Sequence, residues 1–166
     1  MNEDLNQRIE EAVRLFHEGY NCAQSVVAAF ADLYGMERDL ALRAASSFGG
    51  GIGRMRLTCG AACGLFMLVG LATGATDGAN REGKSHNYAL VQQMAEQFRA
   101  AAGSLTCAEL LALRADAKHD DPQAAPRTEA YYRGRPCEYM VRLAATLFAN
   151  YLTDHPAAVA AKAHDA

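Results

Sequence analysis

The sequence lacks a long apolar segment and a block of like charges, and it has almost no pattern typical of β-strands. Its longest apolar run, from Leu65 to Ala72, is far too short to cross a bilayer, so we expect no membrane insertion. The net charge of −3 argues against a nucleic-acid partner, which would normally require a basic surface. Because β-branched residues rarely alternate with polar ones, a sheet-based fold is not expected.

Two common cysteine motifs are also absent. Without Cys-x-x-Cys, the sequence supports neither a thioredoxin-type motif nor a zinc ribbon, and without Cys-x-x-Cys-His it supports no covalent haem. The chain opens with the polar run Met1 to Asp4 instead of a secretory signal, which predicts a cytoplasmic protein. In that compartment structural disulfides are rare, so the five cysteines are expected to be reactive, metal-bound or buried.

Apolar residues recur at helical spacing along the 166-residue chain, which predicts an all-α, single-domain bundle of about six or seven helices. Asn21 is a candidate N-cap, Gly35 a C-terminal stop and Pro136 a helix start. The predicted helices cover approximately residues 5–19, 22–34, 38–47, 59–72, 85–102, 107–114 and 136–151. The segment 59–72 is apolar on nearly every face, so we expect it to be the buried central helix.

Three segments are predicted to lie outside these helices. The run from Gly49 to Gly53, with glycine at four of its five positions, requires the conformational freedom of that residue. The stretch 116–135 carries prolines and many charges, which predicts a long loop. The helical domain is assigned to residues 1–155 and is followed by an alanine-rich tail over 156–166.

Four of the five cysteines share one predicted position, the first turn of a helix directly after a capping or starting residue. They are Cys22, Cys59, Cys107 and Cys137. Unpaired N–H groups and the helix dipole favour a thiolate at that position and lower the cysteine pKa. We therefore predict that the four meet in one anion-friendly centre. The alternative is that they are buried small apolar residues that fill the core.

Two threonines support the predicted helix starts at Cys59 and Cys107. Thr58 is the expected N-cap of the first helix, and Thr106 with Glu109 has the spacing of a capping box for the second.

Residues close to Cys59 add further candidates. Cys63 lies one helical turn later on the same face, a spacing that serves a disulfide, a metal or packing equally well. Gly60 and Gly64 would let another helix or a cofactor approach the backbone closely, which makes them candidate cofactor-binding residues.

Two arginines, Arg54 and Arg56, precede Cys59 and would further stabilise a thiolate, unless they are solvated surface charges.

Two segments resemble a known family. The run Phe48 to Gly53, followed by Cys59-Gly60-Ala61-Ala62-Cys63-Gly64, is similar to the CGAxxG signature of the C-GCAxxG-C-C family, which is described as redox-active. The segment Tyr20-Asn21-Cys22-Ala23-Gln24-Ser25 resembles the first cysteine box of that family. The resemblance covers roughly residues 19–151.

This resemblance implies which cysteines act together. The four cysteines that name the family would be Cys22, Cys59, Cys107 and Cys137, whereas Cys63 occupies a variable position and would be a local resolving thiol. A related domain occurs in split-Soret cytochrome c, where an iron–sulfur site has been proposed, so the resemblance also implies a cluster as a candidate cofactor.

Three functions remain open from the sequence. In the first, the four cysteines exchange between thiol and disulfide with an unidentified redox partner, and Cys59 is the expected attacking thiol. In the second, the same four cysteines bind a metal site, an iron–sulfur cluster or zinc. In the third, the chain is a helical interaction module, forming a homodimer, whose cysteines only fill the core. Whether the protein is an oxidoreductase that turns over a substrate is left undecided.

Overall fold

The computed structural model describes residues 3–116, 119 and 121–160, and this part of the chain is an all-α bundle without β-strands. Its α-helices are α1 (Glu3–His17), α2 (Cys22–Ala28), α3 (Arg38–Ala45), α4 (Gly60–Thr73), α5 (Arg81–Ala102), α6 (Cys107–Leu110), α7 (Glu129–Arg133), α8 (Cys137–Asp154) and α9 (Ala157–Ala160). The all-α prediction is confirmed. None of these helices is long and apolar enough to cross a membrane.

Helix α4 lies at the centre of the bundle, as its apolar sequence predicts. It packs against α2, α5 and α8, and its residues from Gly60 to Leu65 are buried. Beside α4, Phe148 of α8 packs edge to face against Phe30, which lies in the turn after α2, with ring centroids 5.3 Å apart. Both rings are fully buried, so they anchor the side of the bundle that lies against α2 and α8.

Two predicted helices end early and continue as 3₁₀ turns. Helix α2 ends at Ala28, and a 3₁₀ turn, Ala31–Tyr34, follows and stops at Gly35, whose φ of 69° is left-handed. Helix α3 likewise continues as the 3₁₀ turn Ser46–Phe48. The predicted stop at Gly35 is confirmed.

The role predicted for Thr58 is wrong. Helix α4 begins at Gly60 with Cys59 as its N-cap residue, and Thr58 forms an isolated antiparallel bridge with Thr106 instead. The capping box predicted at Thr106 is also wrong, because the carboxylate of Glu109 accepts a hydrogen bond from the Ser104 hydroxyl. Backbone pairing between the two segments therefore takes the place of side-chain capping.

The later part of the chain contains more helix than predicted. Helix α7 interrupts the expected loop over 116–135, and the Thr128 hydroxyl caps it by accepting from the Tyr131 N–H at 3.2 Å. Helix α6 ends at Leu110, because Ala112 adopts a left-handed backbone with φ of 51°. In the predicted tail, α9 is helical, and residues 161–166 lie outside the described residues.

Candidate functional site

The four cysteines that share the predicted position line a single cavity of about 40 Å³. Cys22, Cys107 and Cys137 are the first residues of α2, α6 and α8, and Cys59 is the N-cap residue of α4. The structure thus brings together four thiols that are widely separated in sequence. All five cysteines of the chain are free of disulfides.

Backbone pairing holds Cys59 beside Cys107. The Cys59 N–H donates to the Leu105 carbonyl at 2.7 Å, and the Cys107 N–H donates to the Leu57 carbonyl at 2.6 Å. These bonds flank the bridge between Thr58 and Thr106 and join two distant segments at the floor of the cavity. The relative placement of the two cysteines is therefore fixed by main-chain hydrogen bonds.

A capping box positions Cys22, the first residue of α2, in the wall of the cavity. The Asn21 side chain accepts from the Gln24 N–H, and the Gln24 side chain accepts from the Asn21 N–H, both at 3.0 Å. Asn21 Nδ2 also donates to the Ser46 carbonyl at 2.8 Å, which ties the start of α2 to the 3₁₀ turn Ser46–Phe48 that precedes the glycine run. The predicted cap at Asn21 is confirmed.

The glycine run covers the cavity with a left-handed turn. Residues 50–54 all have φ between 57° and 73°, including Ile52 and Arg54, whose side chains disfavour that region. Gly51 allows the turn to close on α6, because a Cβ at this position would lie 2.5 Å from Cys107 Cβ. Such local strain in non-glycine residues is typical of functional sites.

Burial opposes ionisation at most of the thiols. It raises the pKa of Cys59 to about 12, although the backbone N–H groups of Ala62 and Ala61 act in the opposite direction. It raises the pKa of Cys63 to about 11, and it raises the pKa of Cys107 against a hydrogen bond from Arg56. The prediction that every helix start lowers its cysteine pKa is therefore wrong, because desolvation exceeds the helix contribution at these positions.

Cys137 is the exception, and Cys22 is its partner. The side-chain interaction with Cys22 lowers the pKa of Cys137 to about 7 against the effect of burial. The same interaction is the main cause of a Cys22 pKa well above its ordinary value. The guanidinium groups of Arg135, Arg127 and Arg56 also lower the pKa of Cys137. This pair thus combines a stabilised thiolate with a protonated neighbour.

The remaining predicted residues around α4 divide between the cavity and the helix interface. Gly60 lines the cavity, and a Cβ there would lie 2.8 Å from the Phe48 carbonyl. Gly64 faces α2, where a Cβ would lie 3.0 Å from the Ala23 carbonyl, and it does not line the cavity. Cys63 does not line the cavity either, and its thiol points toward the Thr58 carbonyl at 3.8 Å.

Sequence reasoning missed three residues on the remaining wall, Arg127, Tyr131 and Arg135. The Tyr131 ring has the guanidinium carbon of Arg127 and that of Arg135 each 4.5 Å from its centroid. The available signal was their spacing of four residues, which places them along one face if the segment is helical. Because the segment 116–135 was predicted to be a loop, this helical spacing was not recognised.

The four thiols that line the cavity are the candidate ligands for a metal site. Among the described residues, no three His, Cys, Asp or Glu side chains are grouped closely enough to hold a metal ion. The four cysteines thus surround the cavity without forming the tight tetrahedral set that zinc or a two-iron cluster requires. In this arrangement they do not fit such a group, and metal binding stays a prediction.

Comparison with known proteins identifies the family. The family model described as "Putative redox-active protein (C_GCAxxG_C_C)" matches residues 20–151, which is most of the chain and contains all five cysteines. Searches of curated proteins and of solved structures found no match. The chain therefore belongs to the C_GCAxxG_C_C family of redox-active proteins.

Proposed function

We propose that this protein is a thiol–disulfide redox protein in which Cys137 is the nucleophile and Cys22 the resolving thiol. The observation that carries the proposal is that Cys22 and Cys137 line one cavity with Cys59 and Cys107, where the two side chains interact directly. A cysteine whose pKa lies near 7 is substantially thiolate at neutral pH, which is the nucleophilic form. We place this activity in the cytoplasm, where the thiol pool would regenerate the dithiol.

The proposed reaction oxidises the pair by two electrons and reduces one substrate disulfide. The Cys137 thiolate attacks one sulfur of the substrate, forming a mixed disulfide and releasing the other sulfur as a thiolate. The Cys22 thiol then loses its proton and attacks Cys137 Sγ, which releases the second substrate thiolate. The products are a Cys22–Cys137 disulfide and two reduced substrate thiols.

The proposal replaces Cys59 with Cys137 as the attacking thiol. Burial raises the pKa of Cys59 to about 12, so Cys59 is almost entirely protonated at neutral pH. Cys137 also has three guanidinium groups that stabilise its thiolate, and its side chain is less buried than that of Cys59.

Disulfide mapping tests this assignment directly. The reduced protein is treated with one equivalent of a small disulfide, quenched with acid, and analysed by peptide mass spectrometry. We expect the wild-type protein to lose two titratable thiols and to form the Cys22–Cys137 bond. In Cys22→Ser, Cys137 should remain trapped as the mixed disulfide. Cys137→Ser should react with the small disulfide more slowly than the wild-type protein does.

Cys63→Ser serves as the matched control, because Cys63 is a buried free cysteine near Cys59 that does not line the cavity. It should form the same disulfide as the wild-type protein. Formation of a bond between Cys59 and Cys107 in place of the Cys22–Cys137 bond would refute the assignment.

Metal binding by the four cysteines is the alternative that the sequence predicts; the four line one cavity, but in this arrangement they are not grouped closely enough to hold a metal ion. If bound, a metal site would supply Lewis-acid or electron-transfer chemistry, with Cys22, Cys59, Cys107 and Cys137 as ligands. Anaerobic purification followed by a visible spectrum and metal analysis distinguishes the candidates. Stoichiometric metal that protects these four thiols from alkylation would favour this second function, and a metal-free protein with all five thiols titratable would contradict it.

A further inference from the structure

Four arginines surround the entrance to the cysteine cavity: Arg54, Arg56, Arg127 and Arg135, here called the arginine cluster. Within the described residues, no carboxylate lies within ion-pair distance of any of the four. Among the described residues, Asp121 is the one carboxylate that shares a cavity with these arginines. The protein as a whole has a net charge of −3, so this concentration of positive charge is local. It creates a field that attracts anions toward the thiols.

Several polar atoms of the cluster are buried without a hydrogen-bond partner. They are Nε of Arg54, Nε of Arg56 and one terminal nitrogen, Nη1, of Arg127. A buried donor on a charged group is costly to leave unpaired, and most buried polar groups in folded proteins are paired. These donors are therefore available to a bound acceptor.

Contacts on the other atoms hold the arginines in place. Arg127 Nη2 donates to the Tyr20 carbonyl at 3.2 Å, and the Tyr131 ring lies between the guanidinium groups of Arg127 and Arg135. Arg54 donates to the Gln123 carbonyl. Because the cluster is already ordered, a ligand would lose less free energy in immobilising these side chains.

The cluster also encloses space. Two further cavities, of about 270 and 370 Å³, adjoin the cysteine cavity and share Arg56 and Arg135 with it. Together they have room for a small molecule, whereas the cysteine cavity itself, at about 40 Å³, has room for little more than its reacting sulfur.

We propose that the arginine cluster binds the carboxylate of a small anionic disulfide and thereby delivers the substrate sulfur to Cys137. This inference rests on the proposed function and names its substrate class. Guanidinium groups match the planar geometry of carboxylates and bind them through charge-assisted hydrogen bonds. The step is the exchange described above: Cys137 becomes a mixed disulfide, one carboxylate-bearing thiolate leaves, and Cys22 then releases the other.

A charge series of similar disulfides tests the proposal. The substrates are 3,3′-dithiodipropionate, bis(2-hydroxyethyl) disulfide and cystamine, which are anionic, neutral and cationic, and each rate is divided by that of the same disulfide with the uncharged thiol 2-mercaptoethanol. We expect the anionic compound to react with Cys137 about tenfold faster than the neutral one, and the cationic compound to be slowest. Equal normalised rates would overturn the inference and leave the proposed function intact.

Two variants assign the preference to the cluster. Arg54→Gln, at a residue that does not line the cysteine cavity, should reduce the preference for the anionic disulfide by about threefold or more, with little change for the neutral one. Arg135→Gln should reduce the same preference and should also slow the neutral disulfide, because Arg135 helps to stabilise the Cys137 thiolate. Arg81→Gln is the matched control, because Arg81 is an exposed arginine in the first turn of α5 that lines none of the three cavities. An equal loss in Arg81→Gln would attribute the preference to net charge and overturn the assignment.

A binding measurement separates this inference from the redox chemistry. Suberate has the length of dithiodipropionate but contains no sulfur, and 1,8-octanediol is its neutral counterpart. Titration calorimetry on the Cys22→Ser/Cys137→Ser double variant should show binding of suberate and not of the diol. Suberate binding should weaken when Arg135→Gln is added to this double variant. Suberate binding without any disulfide reaction in the wild-type protein would refute the proposed function alone, and absence of suberate binding would refute the anion site.

Discussion

The helical core and the wall of the cysteine cavity are built from different kinds of sequence. The core uses apolar side chains, such as the fully buried rings of Phe148 on α8 and of Phe30 in the turn after α2. The wall is built from a left-handed glycine run, an isolated backbone bridge and a tyrosine ring that contacts the guanidinium groups of two arginines. Regular packing thus makes the scaffold, and irregular backbone together with charge makes the site. Changes in the two regions should have separable effects.

The largest effect on stability is expected from the core. Phe148→Ala removes a fully buried ring that packs edge to face on Phe30, and it should lower the free energy of unfolding by about 4 kcal/mol. Urea denaturation measures the loss, and Cys137 reactivity in the folded fraction should be unchanged. Tyr88→Ala is the control, because that ring is 61% exposed and its removal should cost less than about 0.5 kcal/mol. A large change in Cys137 reactivity would show that the regions are not separable.

A glycine in the wall should matter almost as much. Gly51→Ala places a Cβ 2.5 Å from Cys107 Cβ in a residue with φ of 73°, and we expect a loss of about 3 kcal/mol from overpacking and backbone strain. The matched control is Gly70→Ala in α4, where no atom lies within 4 Å of the new Cβ and helix propensity should improve stability by about 0.5–1 kcal/mol. Equal denaturation curves for Gly51→Ala and the wild-type protein would contradict the tight closure of the turn.

The charge environment of the wall should appear in the pH dependence of Cys137. Its lowered pKa of about 7 keeps the thiolate present down to that pH, so the alkylation rate should be constant above it and fall about tenfold per pH unit below it. Iodoacetamide labelling, read out by mass spectrometry at Cys137, measures the profile. Arg135→Gln should move the midpoint to higher pH. A midpoint near 9, as for an ordinary thiol, would show that neither Cys22 nor the arginines stabilise the thiolate.

The smallest effect separates capping from positioning. Asn21→Ala and Asn80→Ala each remove an N-cap side chain, at α2 and α5, and each should cost about 1 kcal/mol in thermal or urea unfolding. Only Asn21 precedes Cys22, so only its variant should slow formation of the Cys22–Cys137 disulfide. If Asn80→Ala slows the reaction equally, the effect of Asn21 is one of global stability.

The elements of the scaffold could be predicted because their signals are local. Asn21, Gly35 and the apolar segment after Gly60 have the roles expected from their sequence positions. The predicted start of α4 was wrong because of a contact between distant segments. Thr58 forms a backbone bridge with Thr106 instead of capping the helix. Helix propensity alone contains no information about such a partner.

The site could be predicted only in part. The shared position of four cysteines at helix starts indicated that they would meet, and they line one cavity. The direction of their pKa shifts could not be predicted, because it depends on burial and on the side-chain interaction between Cys22 and Cys137. The contributions of Arg127 and Arg135 depend on how the segment around α7 folds back over the glycine run, which no local pattern encodes.

The backbone bridge at the cavity floor also constrains the order of assembly. Cys59 leaves the ribosome well before Leu105, whose carbonyl accepts its N–H, and Cys137 comes later still on α8. A nascent chain therefore displays its first thiols before the partners that desolvate and orient them exist. The complete set forms only when nearly the whole family region has been synthesised, so any truncation before α8 removes Cys137, the proposed nucleophile, together with a wall of the cavity.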